Sequence, residues 1–176
     1  MNHLIQLTAL PRSGTAFASM LFQLHPDVIA YHELATYDKQ WRRTILSNQA
    51  DVVADCSTYG FLPDAEMEVP YDVERHHVFL HRPLEESHRA AEIATKKEID
   101  AEFYDFLGRE AVKWVHKHLA LVMKKGEIFT VDGCIKLWGY CFTEPPPVDK
   151  IRELIKLNIQ HKDPHIKFGK TAKFEL

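Results

Sequence analysis

Leu4-Ile5-Gln6-Leu7-Thr8-Ala9-Leu10, then Pro11-Arg12-Ser13-Gly14-Thr15, then Ala16 to His25, is the stretch whose reading decides the fold. Residues 4–10 are a near-continuous apolar run, the pattern of a central parallel strand covered on both faces. From Ala16 to Leu24 the apolar residues Phe17, Met20, Leu21 and Leu24 share one helical face. Between the two lies a tight turn with a glycine. A turn from a strand into a helix collects free backbone N–H groups and the positive end of the helix dipole, which makes it a seat for an anion such as phosphate. Arg12 adds a fixed cation with bidentate donors, and Ser13 and Thr15 add hydroxyls. Gly14 lets backbone approach the anion closely.

Outward from this unit, the chain alternates strand and helix patterns. His25-Pro26-Asp27 ends the first helix, and Val28 to Tyr31 is a short extended piece. His32-Glu33-Leu34 opens another helical stretch, and Trp41, Ile45 and Leu46 give residues 36–50 a helix face. Asp51 to Cys56 is the second long strand, followed by a loop over 57–72. Arg75 to His81 is the third, with Val78-Phe79-Leu80 at its core. Pro83 begins a helix, with Glu85 and Glu86 in its first turn. The spacing from Phe103 through Trp114 and His118 to Met123 predicts a long helix ending at Gly126. Ile128 to Val131 reads as a fourth strand, Pro145-Pro146-Pro147 as a stiff connector and Val148 to Ile159 as a final helix. The resulting expectation is a single α/β domain over 1–176: a three-layer sandwich around a mostly parallel sheet. Ligands of such sheets sit at the carboxyl ends of the strands, which places the Arg12 turn, Asp55-Cys56-Ser57 and His81-Arg82 along one edge.

The chain has 176 residues, 45% of them hydrophobic and 27% charged, enough for one real core. A net charge of -3 gives no global attraction to nucleic acid, so any anion site must be a local cluster of Arg and Lys. Cys56, Cys134 and Cys141 lack metal-like spacing and read as reduced thiols. No apolar run approaches the ~20 residues of a membrane span. The apolar stretch from Leu4 is broken by Pro11 and Arg12, unlike a signal peptide, so a cytoplasmic location is expected. Eleven histidines are present, but His76-His77 and His116-x-His118 lack zinc-like partners, and no metal is expected.

The turn is not an ATPase P-loop. It lacks the first glycine and the lysine of Gly-x-x-x-x-Gly-Lys-Ser/Thr, and no hydroxyl is placed to hold Mg²⁺. Taken with the helix, then His25-Pro26-Asp27-Val28, then Glu33, it resembles the P-loop-like sulfotransferases that use 3′-phosphoadenosine-5′-phosphosulfate (PAPS). The gapless spacing is similar to the tyrosylprotein sulfotransferases and close to the heparan-sulfate enzymes. The resemblance implies a P-loop NTPase-like fold, with Arg12, Ser13, Gly14, Thr15 and Ala16 around the 5′-phosphosulfate. It gives Arg12 the further role of stabilising the leaving phosphate. It makes Glu33 the general base that takes the acceptor proton. His32 is the rival base, since imidazole titrates in the useful range and other branches use a histidine. Ala16 stands where the family has a second threonine.

A second element of the family is a strand ending in Arg, then Asp-Pro, with a serine eight residues after the Arg. Here Val78-Phe79-Leu80-His81-Arg82-Pro83 supplies the Arg, without the Asp. The eighth position is Ala90, with Arg89 beside it and Ser87 out of register. The resemblance therefore assigns the 3′-phosphate to Arg82, with Arg89 as a substitute charge. Phe168-Gly169-Lys170-Thr171 offers Lys170 and Lys173 as counterparts of a C-terminal phosphate-covering loop, against the plainer reading of a solvated tail. The implied reaction is sulfuryl transfer to a small-molecule, sugar or peptide hydroxyl, without nucleic-acid or membrane partners. Two other readings stay open: a nucleotide kinase, and a degenerate module of the same fold that binds a nucleotide or a protein without catalysis.

Overall fold

The computed structural model describes residues 1–34, 39–65 and 69–157, together with the backbone of residues 169–170. Its elements run β1 (His3–Ala9), α1 (Thr15–Phe22), β2 (Val28–His32), α2 (Trp41–Leu46), β3 (Val52–Thr58), β4 (Glu74–His81), α3 (Leu84–Thr95), α4 (Ala101–His118), β5 (Leu121–Lys124), α5 (Val131–Cys141), α6 (Val148–Lys156) and β6 (Gly169–Lys170). The expected helix over 36–50 is seen only as α2. Residues 36–38, the end of the final helix, Phe168, Thr171 and Lys173 lie outside the described residues.

The sheet has the order β5-β4-β1-β3-β2-β6. Every neighbouring pair is parallel except β2 and β6, which pair antiparallel through Tyr31 with Lys170 and His32 with Gly169. β1 lies between β3 and β4, with Ala9 level with Thr58 on one side and Leu80 on the other. Its alternating side chains divide the core. Ile5, Leu7 and Ala9 join Ala54, Cys56, Val78 and Leu80 against α1, α5 and α6, with Phe17, Leu21, Leu137, Trp138, Ile151 and Leu154 closing that layer. On the other face Leu4 and Val53 pack with Trp41 and Ile45, while Leu10 and Phe79 pack with Tyr104, Leu107, Ala111 and Trp114. The architecture is thus the expected three-layer α/β sandwich. Burying each of the larger side chains contributes about 1.5–3 kcal/mol. Among the described residues no helix is long and apolar enough to cross a membrane.

The path of the chain sets where a ligand has room. After β1 the chain leads to β2, toward one edge; after β4 it leads to β5, toward the other. β1 and β4 are neighbours, so their outgoing connections diverge and leave a crevice at their carboxyl ends.

The sequence reading fails between residues 119 and 141. The long helix does not reach Gly126: it stops at His118, where Leu119 adopts a left-handed conformation with φ 48°. Val122 and Met123 extend the apolar stripe of α4 in sequence, yet they belong to β5, which pairs with β4 from Val78–Leu121 to His81–Lys124. The expected fourth strand at 128–131 is instead a turn and the start of α5. Ile128 is fully buried, Thr130 caps the helix by accepting from Gly133 N at 3.0 Å, and Val131 is the first helical residue. Pro83 precedes its helix as an extended cap (ψ 135°), with Leu84 the first helical residue. Glu33 does not enter a helix in the ordinary way, because its φ is 53°.

Two glycines of α5 test this local account. A Cβ on Gly133 lies 1.8 Å from the Glu127 carbonyl oxygen, whereas one on Gly139 meets nothing within 4 Å. Gly133→Ala is expected to destabilise by about 3 kcal/mol, as forced overpacking against backbone does. Gly139→Ala is expected to stabilise by about 0.5–1 kcal/mol, the gain in helix propensity. Urea midpoints of the two variants check both signs.

Candidate functional site

The segment between Ala9 and Thr15 is shaped by two left-handed residues, Arg12 with φ 64° and Gly14 with φ 107°. Only glycine adopts the second freely, and a Cβ there also comes within 3.1 Å of the Phe129 ring. The first intrahelical bond of α1 runs from Ala18 N to Gly14 O at 3.0 Å. The N–H groups before it have no helical acceptor, no side chain caps the helix, and its first turn holds no acidic residue. Ser13 is buried, and its hydroxyl has no hydrogen-bond partner among the described residues. Arg12 is exposed at the mouth of the turn. An uncapped helix start, an unpaired hydroxyl and an exposed guanidinium together suit an anion of the phosphate class.

Two groups from α3 and its approach brace the turn. Arg82, just past the end of β4, donates from Nη1 to the Arg12 carbonyl at 2.9 Å. Ser87 is fully buried and donates from Oγ to the Pro11 carbonyl at 3.0 Å. Arg82 also faces Glu86, with Nε 3.6 Å from its carboxylate. Arg82 and the Arg12 turn thus meet, as the edge argument expects. Arg89 is exposed on α3, and no hydrogen bond or ion pair joins it to the turn. Ala16 offers only backbone, and its carbonyl accepts from Ser19 Oγ at 2.8 Å.

On the other side of β1, Glu33 follows β2 directly. Its N–H bonds Cys56 O at 3.1 Å, continuing the ladder to β3. Its Oε1 accepts from Thr58 N at 2.8 Å, from the Thr58 hydroxyl, and from Thr15 Oγ1 at 3.3 Å. One carboxylate oxygen therefore ties the end of β2 to the end of β3 and to the first residue of α1. Thr15 Oγ1 also lies 3.2 Å from His32 Nε2. His32 and Glu33 approach to 3.6 Å, but burial pushes the His32 pKa down to about 4, so the imidazole is neutral at pH 7 and the contact is no ion pair there. The first residue of α1 thus stands against both base candidates. β6 runs alongside this end of β2, its Gly169 backbone level with His32.

The sequence reading places Asp55-Cys56-Ser57 at this edge but stops the strand too early to reach Thr58. β3 runs on to that residue, which makes two bonds to Glu33. No local signal marks Thr58, because its partner Glu33 lies 25 residues away and is brought to it only by the pairing of β2 with β3. Tyr59, next in the chain, has φ 64° and a phenol pushed up to about 12 by burial, then by Tyr104 and Glu33, so it is a proton donor at neutral pH. Asp55 is buried with its carboxylate accepting from Ser57 Oγ at 2.6 Å. Desolvation, with the Glu33 charge adding, raises its pKa to about 6. The three cysteines are free and buried, and burial raises their thiol pKa values. Among the described residues no group of three His, Cys, Asp or Glu side chains is placed to hold a metal ion.

Comparison of the chain with protein-family models, with curated proteins and with solved structures gives no match in any of the three.

Asp55 and His32 make opposite contributions to stability over nearly the same pH range. Between about 4 and 6 folded Asp55 holds a proton that the unfolded chain releases, so its contribution falls as pH rises. Between about 4 and 6.5 unfolded His32 holds a proton that the folded ring refuses, so its contribution rises with pH. Each is on the order of 3 kcal/mol, so the two largely cancel. Asp55→Asn removes the falling one. Relative to the unsubstituted protein, the variant is expected to gain about 2–3 kcal/mol at pH 7.5 and little at pH 4. Urea unfolding across that range reads the difference, and parallel profiles for the two proteins would exclude this titration of Asp55.

Proposed function

We propose that this chain transfers a sulfuryl group from PAPS to a hydroxyl acceptor. The observation that carries the reading is the bond from Arg82 to the Arg12 carbonyl, which joins two basic residues 70 positions apart at one helix N-terminus. Glu33 on the opposite flank, bonded to Thr15, supports it. The parallel order β5-β4-β1-β3-β2, with the turn after the central strand, supports a P-loop-like sheet of the sulfotransferase type.

PAPS supplies an activated sulfuryl group: its sulfur–oxygen bond to the 5′-phosphate breaks as a bond from sulfur to the acceptor oxygen forms. The first-turn N–H groups of α1, the Ser13 hydroxyl and Arg12 hold the 5′-phosphosulfate. Arg12 places positive charge where the leaving phosphate oxygen gains negative charge. Arg82 holds the 3′-phosphate and, through the Arg12 carbonyl, the shape of the turn. Glu33 takes the acceptor proton. Thr58 and Thr15 fix the orientation of its carboxylate. Neutral His32 sets the position of Thr15 and is the second candidate for the proton.

A second reading, a nucleotide-binding module without catalysis, is favoured by a specific observation. The one serine near the 3′-phosphate position, Ser87, spends its hydroxyl on Pro11, and Ala16 has none to give. Binding and catalysis separate the two. 3′-Phosphoadenosine-5′-phosphate is expected to raise the melting temperature without Mg²⁺ and above AMP or ATP, reaching about 2.7 kcal/mol at a hundred times Kd. Glu33→Gln is expected to keep that shift and to lower sulfuryl transfer by about 10²-fold or more. A preference for ATP with Mg²⁺ points to a kinase instead. Binding by a protein that transfers no sulfuryl group with or without Glu33 leaves the non-catalytic module.

A further inference from the structure

The inner face of α4 is fixed by the fold. Tyr104, Leu107, Ala111 and Trp114 are buried against the sheet, and the Tyr104 hydroxyl donates to the Ser87 carbonyl at 3.2 Å. The outer face of this helix carries side chains that the fold does not use. Phe106 and Val112 stand 40% and 57% exposed, and Val122 of β5, 43% exposed, borders the same concave surface as Val112. Large apolar residues gathered on an exposed helix face call for a cover.

The charges on this face carry no large excess of either sign; what they have is an order. Glu102 and Asp105 lie toward the start of α4, Arg109 in its middle, and Lys113 and His116 toward its end, all of them exposed. Among the described residues Glu102, Asp105 and Arg109 enter no ion pair. Lys113 bonds Glu110 at 2.6 Å, but its side chain is 71% exposed, so this is a weak surface pair that leaves the ammonium further donors.

The order is symmetric about Arg109. Phe106 and Val112 lie three residues to either side of it, Asp105 and Lys113 four, and Glu102 and His116 seven, spacings that keep all of them on one helix face. A second copy of α4 laid antiparallel across the first, with a two-fold axis at Arg109, sets each position against its counterpart. Phe106 then faces Val112, Asp105 faces Lys113 and Glu102 faces the His116 ring, and each contact occurs twice. The helix dipoles also oppose. The two arginines meet at the axis, each with an Asp105 carboxylate one turn away. A parallel pair in register would instead set Asp105 against Asp105 and Lys113 against Lys113.

We infer that the outer face of α4 is the two-fold interface of a homodimer, covered by the same face of a second copy of this chain. The dimer does not depend on the sulfuryl-transfer reading, because none of these residues belongs to the proposed nucleotide site. From Glu102 to His116 the stripe is about 21 Å long, a small interface of the kind that gives weak association.

Sedimentation equilibrium of the full chain is expected to show monomer and dimer with a Kd on the order of 10–100 µM. Asp105→Lys and Lys113→Asp, both at exposed positions, each oppose like charges at two symmetric contacts. Each is expected to weaken the dimer at least about tenfold, with an unchanged urea midpoint at low protein concentration. Mixed in equal amounts, the two variants are expected to associate about as tightly as the unsubstituted chain, because every such contact is again acid against base. Val112→Glu is expected to weaken the dimer about tenfold as well. A chain that stays monomeric at about 1 mM overturns the inference. So does a dimer that survives both reversals, or a mixture of the two variants that fails to associate.

Discussion

The constraint on which the rest depends is the position of β1. It is buried on both faces and paired on both edges, so the chain cannot leave it sideways and must turn at its carboxyl end. The same applies in weaker form to β2 and β3. The chain answers each time with a left-handed residue other than glycine: Arg12 shortly after β1, Glu33 at the end of β2 and Tyr59 at the end of β3. Such a conformation costs roughly 1–2 kcal/mol per residue. It persists here because hydrogen bonds continue the ladders through the bends, from Glu33 N to Cys56 O and from Tyr59 N to Ala9 O. The strain therefore gathers along one edge of the sheet, where backbone strain and functional residues commonly coincide.

Glu33 shows how the bends are held. Its carboxylate is largely buried, yet it accepts from backbone and side chain of Thr58 and from Thr15. These donors replace the water that the charge loses. The neighbouring titratable groups adjust around it. His32 is kept neutral by burial, and Asp55 is driven toward its protonated form by burial and by the Glu33 charge. At neutral pH, above the Asp55 value of about 6, the edge therefore carries two carboxylate charges, Glu33 with three donors and Asp55 ionised at a cost in stability, while Arg12 supplies exposed positive charge.

The unit from β1 to α1 was legible because three signals agree there: an unbroken apolar run, a glycine at the turn and a helical stripe. Glu33 was singled out only through its spacing to that unit, and Arg82 through its place at the end of the apolar run Val78-Phe79-Leu80 and the resemblance carried there, since nothing else in the local sequence distinguishes them from surface charges. The region from 119 to 141 was misread because its local signals conflict. Val122 and Met123 fit the helical period of α4, and the apolar, β-branched Ile128 to Val131 looks like a strand. Tertiary pairing with β4 decides the first, and the Thr130 cap decides the second. Thr58 was missed for a different reason: its role depends on β3 running two residues past the Cys56 that pairs with the end of β2, and that register is not written in either strand alone.

The two halves of the proposed nucleotide site are built unequally, and the inequality follows from how the turn is supported. At the turn, the backbone that presents the uncapped helix start, Ser13 and Arg12 is fixed by hydrogen bonds to the Pro11 and Arg12 carbonyls. Ser87 holds Pro11 from behind and Arg82 holds Arg12 from the side, so both residues near the expected 3′-phosphate position also fix the shape of the 5′ side. Preorganised donors act on an anion without a reorganisation cost at the moment of reaction. The hydroxyl of Ser87 serves that end fully and has no proton left for a phosphate, whereas the Arg82 guanidinium carries further donors. In the proposed site, discrimination for a 3′-phosphate would rest on one arginine that also braces the turn through the Arg12 carbonyl, so the two effects of Arg82 would be coupled by the geometry.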